Sequence, residues 1–348
     1  WLVLTLFTYP YVVLICGSAL RNLDSTVEDA ARSLGDNRFN VYTQVVIPRL
    51  KKPIFFSGLL VGLYVISDFG AVSLMRYSTL TKAIYSYYEF NINGDPVIFY
   101  SSILIVLALL ISFIQRGSEE ARSAKVSGTP KISEKTNLSP RSKVLIYTFL
   151  SLVIFSGLIL PISVLSYWLI RGLSAGNSVR AVFGGVVGSL SVSLLAALFS
   201  VIVSTPIIIM VSQYRSKFGN VLERIMLALY GLPHISVGVA ILFITIKIFP
   251  SIYQSFTALI ISYLIVFLPQ AIGAGQASME QVKSNYLDAS SGLGMSKLKS
   301  FYRITLPLIY RGLFAGGSLV FLSTMKELPQ TLLLRPTGLN TMAIDIWS

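Results

Sequence analysis

The sequence predicts an all-α, polytopic membrane protein that contains two parallel repeats of one helical unit. Of its 348 residues, 54% are hydrophobic and only 12% are charged, whereas soluble domains carry about 25% charged residues. Apolar stretches long enough to cross a bilayer, which takes about 20 residues, follow one another along the chain. A constant offset of 259 positions aligns residues 1–89 with residues 260–348. The lipid bilayer is therefore the expected surroundings of both repeats.

Eight stretches are predicted to span the membrane, and the loops between them alternate in charge. Six Lys or Arg residues lie in 21–52 and seven in 115–143, but only two each in 76–96 and 171–180. Because basic loops stay in the cytoplasm, the basic-rich loops are predicted to be cytoplasmic. The eight stretches are 1–20, 53–75, 97–114, 144–170, 181–211, 221–249, 255–275 and 308–334.

Charge and composition exclude several classes of protein. The net charge of +13 is explained by membrane topology, so nucleic acid is not an expected partner. The single cysteine, Cys16, excludes an internal disulfide or a cysteine-based metal site. The single histidine, His234, is predicted to be a packed or interfacial residue, because there is no second histidine to complete a metal site.

A polar segment divides the chain into two membrane parts. Residues 115–143 are rich in Ser, Pro, Lys and Glu, and are predicted to form a flexible cytoplasmic linker. Residues 1–114 are expected to be the C-terminal part of the first half, and residues 144–348 the second half without its last helix. The chain starts inside a hydrophobic stretch without Met, which suggests a fragment; completing both copies would give about twelve helices instead of about eight.

The repeat is supported by identities at equivalent positions. Fifteen of the 89 aligned pairs are identical, including Pro10 with Pro269 and Arg76 with Arg335, and Asp68 is aligned with Glu327. Both copies place their polar loop on the same predicted side of the membrane, so the repeat is parallel and not inverted.

Each copy contains a polar loop with the same spacing, at residues 24–48 and 283–307. The acidic residues at its start favour a helix N-terminus, the small residues permit close approach of another helix, and the glycine permits a turn. The proline is predicted to end the second of two short helices. An ordinary amphipathic interface loop is the alternative. The candidate residues are Glu28, Asp29, Ala30, Ala31, Gly35 and Pro48 in the first loop, and Asp288, Ala289, Ser290, Gly294 and Pro307 in the second.

These loops resemble the EAA motif of permease subunits of bacterial ATP-binding-cassette (ABC) importers, with the type I, MetI-like helical fold. The resemblance covers essentially the whole chain; the first loop reads Glu-Asp-Ala-Ala, and the second has Ser290 in place of the second alanine. It implies a multi-pass protein of the bacterial cytoplasmic (inner) membrane. It also implies two copies of a separate ABC ATPase subunit, one docked on each loop, and a periplasmic substrate-binding protein. Mg-ATP would bind to the ATPase, and this chain would hold no cofactor.

Two further segments resemble ferric-iron importer permeases, whose halves are fused in this way. They read SDFGAV at 67–72 and MKELPQTLLLRP at 325–336. Permeases for sulfate, thiamine, polyamines and phosphonates share the EAA motif, so another solute is the alternative. Ferric iron uptake is the predicted function.

The same segments place ionisable residues at membrane depth. Asp68 follows Pro53 by fifteen residues, or about 22 Å along a helix. Charged groups at this depth usually face a cavity or a partner, so Ser67, Asp68, Lys326 and Glu327 are candidates for the translocation pathway of a hard cation, which prefers oxygen ligands. The alternative is a structural salt bridge of Lys326 with Asp68 or Glu327. No metal-ligand set is assigned.

Catalysis by this chain is not predicted. The sequence contains no G-x-x-x-x-G-K-[ST] segment, so ATP hydrolysis requires a separate subunit. Two other classes remain as alternatives. A secondary transporter driven by an ion gradient would not need the Ala/Gly loops, and a membrane scaffold would not need charged groups at membrane depth.

Overall fold

The structure is a computed structural model, and every regular element in its described part is helical. The all-α prediction is therefore confirmed for these residues. They are residues 1–21, 31, 33–90, 95–123, 139–176, 180–214, 217–280, 282, 286, 290, 292 and 294–348.

The helices follow in chain order, with three short π-helical segments between them. Up to residue 123 the α-helices are α1 (Leu2–Arg21), α2 (Arg38–Val41), α3 (Ile47–Ser67), α4 (Gly70–Leu74), α5 (Leu80–Phe90) and α6 (Asp95–Ser123). Those that follow are α7 (Pro140–Ile154), α8 (Leu160–Ser174), α9 (Arg180–Tyr214), α10 (Lys217–Tyr230), α11 (His234–Lys247), α12 (Phe256–Met279), α13 (Lys297–Ser300), α14 (Leu306–Met325), α15 (Pro329–Leu334) and α16 (Met342–Trp347). The π-helical segments are Tyr42–Val46, Phe155–Ile159 and Phe301–Thr305.

Seven helical stretches in the described part are long and apolar enough to cross a membrane. The remaining predicted stretch, 221–249, is divided at residues 231–233 into α10 and α11. Pro233 has an extended backbone (φ −63°, ψ 126°) and precedes α11. Because the 14 residues of α11 rise only about 21 Å, α11 is shorter than the hydrocarbon core of about 30 Å. This stretch is therefore a broken helix.

The prediction that Pro48 ends a helix is wrong. Helical structure continues from residue 38 to residue 67, with Pro48 as the second residue of α3. A π-helical segment precedes α3, and the N–H of Ile47 donates to the carbonyl of Tyr42, five residues back. The wider π turn accommodates the ring of Pro48, which would clash with the carbonyl four residues back in a regular α-helix. The same arrangement precedes Pro307 in α14.

The repeat is visible in the helices themselves. Four pairs of elements begin 259 positions apart, and each pair has the same helix type. They are α2 and α13, the π-helical segments Tyr42–Val46 and Phe301–Thr305, α3 and α14, and α4 and α15.

The described residues form two compact units, each of which draws helices from both predicted halves. Unit 1 contains Trp1–Ile66 and Leu110–Val179, and unit 2 contains Ser67–Leu109 and Arg180–Ser348. The boundaries predicted for the linker, 115–143, overlap with helices, since α6 continues to Ser123 and α7 begins at Pro140.

In unit 1, α1 approaches α3 through small and aromatic side chains. The Sγ of Cys16 lies 3.8 Å from the Oγ of Ser57, and the rings of Tyr11 and Tyr64 are 5.9 Å apart. Helices α7 and α8 have no buried residue, so their apolar side chains are available to lipid.

In unit 2, α12 packs between α9 and α14. Gly312 and Gly316 of α14 form a G-x-x-x-G pair, which permits close approach of helices in a membrane. A Cβ atom placed on Gly316 would lie 2.9 Å from the Cα atom of Ala271 in α12. Apolar side chains such as Ile208, Ile272 and Ile309 fill the surrounding core.

Candidate functional site

The first polar loop contains a glycine turn. Gly35 has φ +93°, a conformation that L-residues rarely adopt. The N–H of Asp36 donates to the carbonyl of Ala31 at 3.2 Å. This bond spans five residues around a left-handed glycine, as in a Schellman helix ending. The prediction that Gly35 provides a backbone turn is therefore confirmed.

The second polar loop contains the same turn. Gly294 has φ +73°, and the N–H of Met295 donates to the carbonyl of Ser290 at 3.0 Å. The hydroxyl oxygens of Ser290 and Ser300 are 2.8 Å apart and buried. The equivalent residues of the first loop are Ala31 and Val41, so a hydrogen bond in one copy replaces an apolar pair in the other. This pair gives the serine at position 290 a structural role.

Both turns lie on the surface. Gly35 and Gly294 are exposed, and no atom of the described residues lies within 4 Å of a Cβ atom placed on either of them. Leu34, beside the first turn, is 87% exposed. Five predicted coupling residues lie outside the described residues: Glu28, Asp29, Ala30, Asp288 and Ala289.

Asp68 lies where the long helix α3 gives way to the short helix α4. Its Oδ2 atom accepts the N–H of Val72 at 3.3 Å, and its backbone carbonyl accepts the hydroxyl of Thr81 at 2.8 Å. Ser67 is the last residue of α3. Asp68 therefore caps α4 from the position before the N-cap residue Phe69, where the unpaired N–H groups and the helix dipole favour a carboxylate.

Glu327 has the same position in the second copy, between α14 and α15. Its Oε1 atom accepts the N–H of Gln330 at 3.4 Å, and its backbone carbonyl accepts the hydroxyl of Thr331 at 2.7 Å. The residue is only 5% exposed. Both acids thus begin a short helix after a break in a membrane helix.

His234 is the hydrogen-bond partner of Glu327. The Nδ1 atom of His234 and the Oε2 atom of Glu327 are hydrogen-bonded at 2.7 Å, and the imidazole meets the ring of Phe267 edge to face. His234 is partly buried, which agrees with the prediction of a packed or interfacial residue, but its partner was not predicted. Lys326 is exposed, and among the described residues it forms no salt bridge with Asp68 or Glu327. The alternative of a Lys326 salt bridge is therefore wrong.

Three helix breaks come together around His234. The carboxylate of Asp68 interacts electrostatically with both His234 and Lys326, and Glu327 contacts His234 directly. The breaks are α3 to α4, α10 to α11 and α14 to α15. Irregular backbone at membrane depth occurs where it is buried in protein or lines a cavity. Among the four candidate pathway residues, the structure thus brings Asp68, Lys326 and Glu327 to one place.

Other polar side chains join this site only in the second copy. The hydroxyls of Tyr263 and Thr331 are 2.5 Å apart and buried. The Nε2 of Gln330 donates to the carbonyl of Ser262 at 3.4 Å, and Gln330 is fully buried. These residues were not predicted, although a comparison of the copies could have found them. The equivalents of Tyr263, Gln330 and Thr331 in the first copy are Leu4, Ala71 and Val72.

The site is not built as a resident metal centre in the part of the chain that the structure describes. No three His, Cys, Asp or Glu side chains there are grouped so that they could hold a metal ion. Its acids are instead used as helix caps, and one of them is paired with an imidazole.

Broken membrane helices beside one buried and one half-buried acid, in a duplicated helical unit with two exposed turns, are the features expected of a transmembrane permease. Residues 2–123 and 204–346 match the family of the binding-protein-dependent transport system inner membrane component, and the chain belongs to this family. This match confirms the predicted class and a multi-pass location in the inner membrane. A transport component of this kind is not an enzyme.

Individual relatives differ in how much of the chain they match. The Fe(3+)-transport system permease protein FbpB 2 of Haemophilus influenzae is 30% identical over 99% of this chain and 69% of its own length. Sulfate permease 2, chloroplastic, of Chlamydomonas reinhardtii is 32% identical over 34% of this chain and 33% of its own. The spermidine/putrescine permease PotB of Escherichia coli is 38% identical over 20% of this chain and 25% of its own.

Proposed function

We propose that this chain is the membrane subunit of an ATP-driven importer of ferric iron. The observation that carries the coupling to ATP is the pair of equivalent glycine turns at Gly35 and Gly294. The iron assignment is supported by a relative named for Fe(3+) transport, which is similar over 99% of the chain. The relatives named for sulfate and for spermidine/putrescine match much shorter parts.

Two copies of a separate ABC ATPase subunit dock on the loops 24–48 and 283–307. Because both loops contain the same turn with the same hydrogen bond, one kind of ATPase subunit fits both. The exposed side chain of Leu34 supplies an apolar contact for it. Mg-ATP is bound and hydrolysed in these partner subunits, and ATP-driven closure of the pair draws the two loops together.

The polar loops face the cytoplasm, and a periplasmic binding protein delivers the cargo to the opposite face. The basic residues around both loops support this orientation. The broken stretch of α10 and α11 is the eighth crossing that the charge alternation requires. Together these two 14-residue helices are longer than the bilayer core.

The cargo passes beside the acids at the helix breaks. Ser67, Asp68, Lys326 and Glu327 line this pathway, and the side-chain oxygens of Ser67, Asp68 and Glu327 suit a hard trivalent cation. Charged groups in a membrane usually face a cavity or a partner, which supports placing these charged residues along the pathway. The alternative cargoes are sulfate, thiamine and polyamines, and the alternative mechanism is an ion gradient without an ATPase.

The glycine turns provide the test of coupling. Gly35→Val places a β-branched residue at a positive φ, whereas Gly35→Asn introduces a residue that tolerates this conformation. Since no atom in the described part of the chain lies within 4 Å of the new Cβ atom, we expect the two variants to differ in backbone strain and not in a clash. We expect Gly35→Val to lose both ATPase co-purification and iron uptake, and Gly35→Asn to keep both, at equal abundance in the membrane. Normal uptake by Gly35→Val would refute the coupling role.

A second experiment tests the cargo. Cells that lack this chain are supplied with ferric iron, sulfate, thiamine or spermidine as labelled solutes, and uptake is compared with that of complemented cells. We expect only iron uptake to depend on the chain, and to stop when ATP is depleted while the membrane potential is maintained. If the uptake of another solute depended on the chain, that solute would replace iron as the assigned cargo. Uptake after depletion of ATP would favour the secondary transporter.

A further inference from the structure

Both carboxylate oxygens of Glu327 have hydrogen-bond partners within the protein. One oxygen is hydrogen-bonded to the imidazole of His234 and the other accepts the N–H of Gln330. With 5% of the residue exposed, this acid is closed off from a passing cation. Asp68, the equivalent acid of the first copy, is only half-buried and forms no salt bridge among the described residues.

The contact that covers Glu327 continues along α11 and α15. Gly238 follows His234 by four residues, so both lie on one face of α11. A Cβ atom placed on Gly238 would lie 2.9 Å from Cδ1 of Leu333 and 3.4 Å from the Cα atom of Gln330. The two helices are therefore in close contact from the acid–imidazole pair onward, for at least one further turn.

We propose that His234 occupies the carboxylate of Glu327 in place of the cargo, and that α11 must separate from α15 before the acid can serve the pathway. A buried carboxylate without a partner is unfavourable. The acid therefore keeps the imidazole until another cationic or hydrogen-bonding group replaces it. His234 is thus a positioning residue that acts through Glu327. This proposal rests on the proposed function, because it assumes that a cation passes beside Glu327.

A reversible disulfide between α11 and α15 tests the separation. The Cβ atom built on Gly238 is 3.4 Å from Cα and 3.6 Å from Cγ of Gln330. These distances suit a disulfide, whose Cβ atoms are about 3.8 Å apart. Gly238→Cys and Gln330→Cys are combined in a chain in which Cys16, the single cysteine, is replaced by serine. The complete importer is reconstituted in vesicles with its ATPase and binding protein, and ferric iron uptake is measured.

We expect uptake when the two cysteines are reduced, loss of uptake after oxidation, and recovery with a reducing agent. Each single-cysteine variant should transport equally with and without oxidant. Equal uptake by the oxidised and reduced double variant would overturn the separation of α11 from α15. Absence of iron uptake by the unmodified importer would instead be a failure of the proposed function.

Substitution of His234 tests its role even where the double-cysteine chain does not assemble. His234→Gln keeps an N–H donor for Glu327, whereas His234→Leu leaves the buried acid unpaired. At equal membrane abundance and equal ATPase co-purification, we expect His234→Gln to retain uptake and His234→Leu to lose it. Wild-type uptake by His234→Leu would show that the imidazole has no role in handling this carboxylate.

Discussion

Asp68 and Glu327, 259 positions apart, each accept a backbone N–H from the first turn of the short helix that follows them. Both backbone carbonyls also accept a threonine hydroxyl, although the donors, Thr81 and Thr331, are not equivalent positions of the repeat. Both acids therefore have a local structural task in addition to their charge. The two contributions can be separated, because an amide can cap a helix without carrying charge.

Asp68→Asn and Asp68→Ala form a matched pair for this purpose. Both remove the charge, but only alanine removes the cap, which costs about 0.5–2 kcal/mol. We expect both variants to reduce iron uptake per molecule in the membrane, and only Asp68→Ala to lower the melting temperature of the purified permease. If Asp68→Asn transports at the wild-type rate, the acid serves only as a helix cap.

The close contact of α12 and α14 predicts a strong effect of a single methyl group. In Gly316→Ala, the new Cβ atom would lie 2.9 Å from both Cα and the carbonyl oxygen of Ala271. Because backbone atoms cannot move aside, we expect a loss of about 1–3 kcal/mol, which is typical of overpacking. Thermal unfolding in detergent measures this loss. Gly58→Ala in α3, where no atom lies within 4 Å of the new Cβ, is the control and should be neutral.

Helix α9 offers a similar comparison within one helix. A Cβ atom on Gly188 would overlap with the carbonyl oxygen of Asn340, whereas one on Gly184 has no neighbour within 4 Å. Next to Gly188, the hydroxyl of Ser189 accepts the N–H of Met342 at 2.9 Å. We therefore expect Gly188→Ala to displace the segment before α16 and increase its cleavage by protease. Gly184→Ala should leave cleavage unchanged, and equal cleavage of both variants would contradict the observed packing.

Much of the fold could be predicted because its signals are local. Long apolar runs predict membrane helices wherever they occur, and the glycines at 35 and 294 predict turns because few other residues adopt a positive φ. Proline was less informative: Pro48 and Pro307 were expected to end helices, but a π turn before each of them accommodates the ring. The helix breaks at residues 68 and 327 were missed because the apolar composition continues on both sides.

The candidate site depended on contacts that a sequence does not encode locally. Asp68, Lys326 and Glu327 were identified because charged groups are rare at membrane depth. Their arrangement was not predicted, since His234 and Glu327 are 93 positions apart and no periodicity relates them. The signal at His234 was weak: it is the single histidine of the chain and follows a Gly-Leu-Pro segment that could have indicated a helix break.

Ser67 and Lys326 occupy equivalent positions, so the two helix breaks together contribute two acids but one lysine. In a permease assembled from two identical subunits, one gene would specify both positions, and every lysine gained would appear twice. Because both copies are encoded in one chain, mutation and selection can change the cation in one half while the acids in both halves persist. An internal duplication within one chain thereby permits an unequal ratio of acidic to basic groups, which the symmetry of a homodimer would forbid.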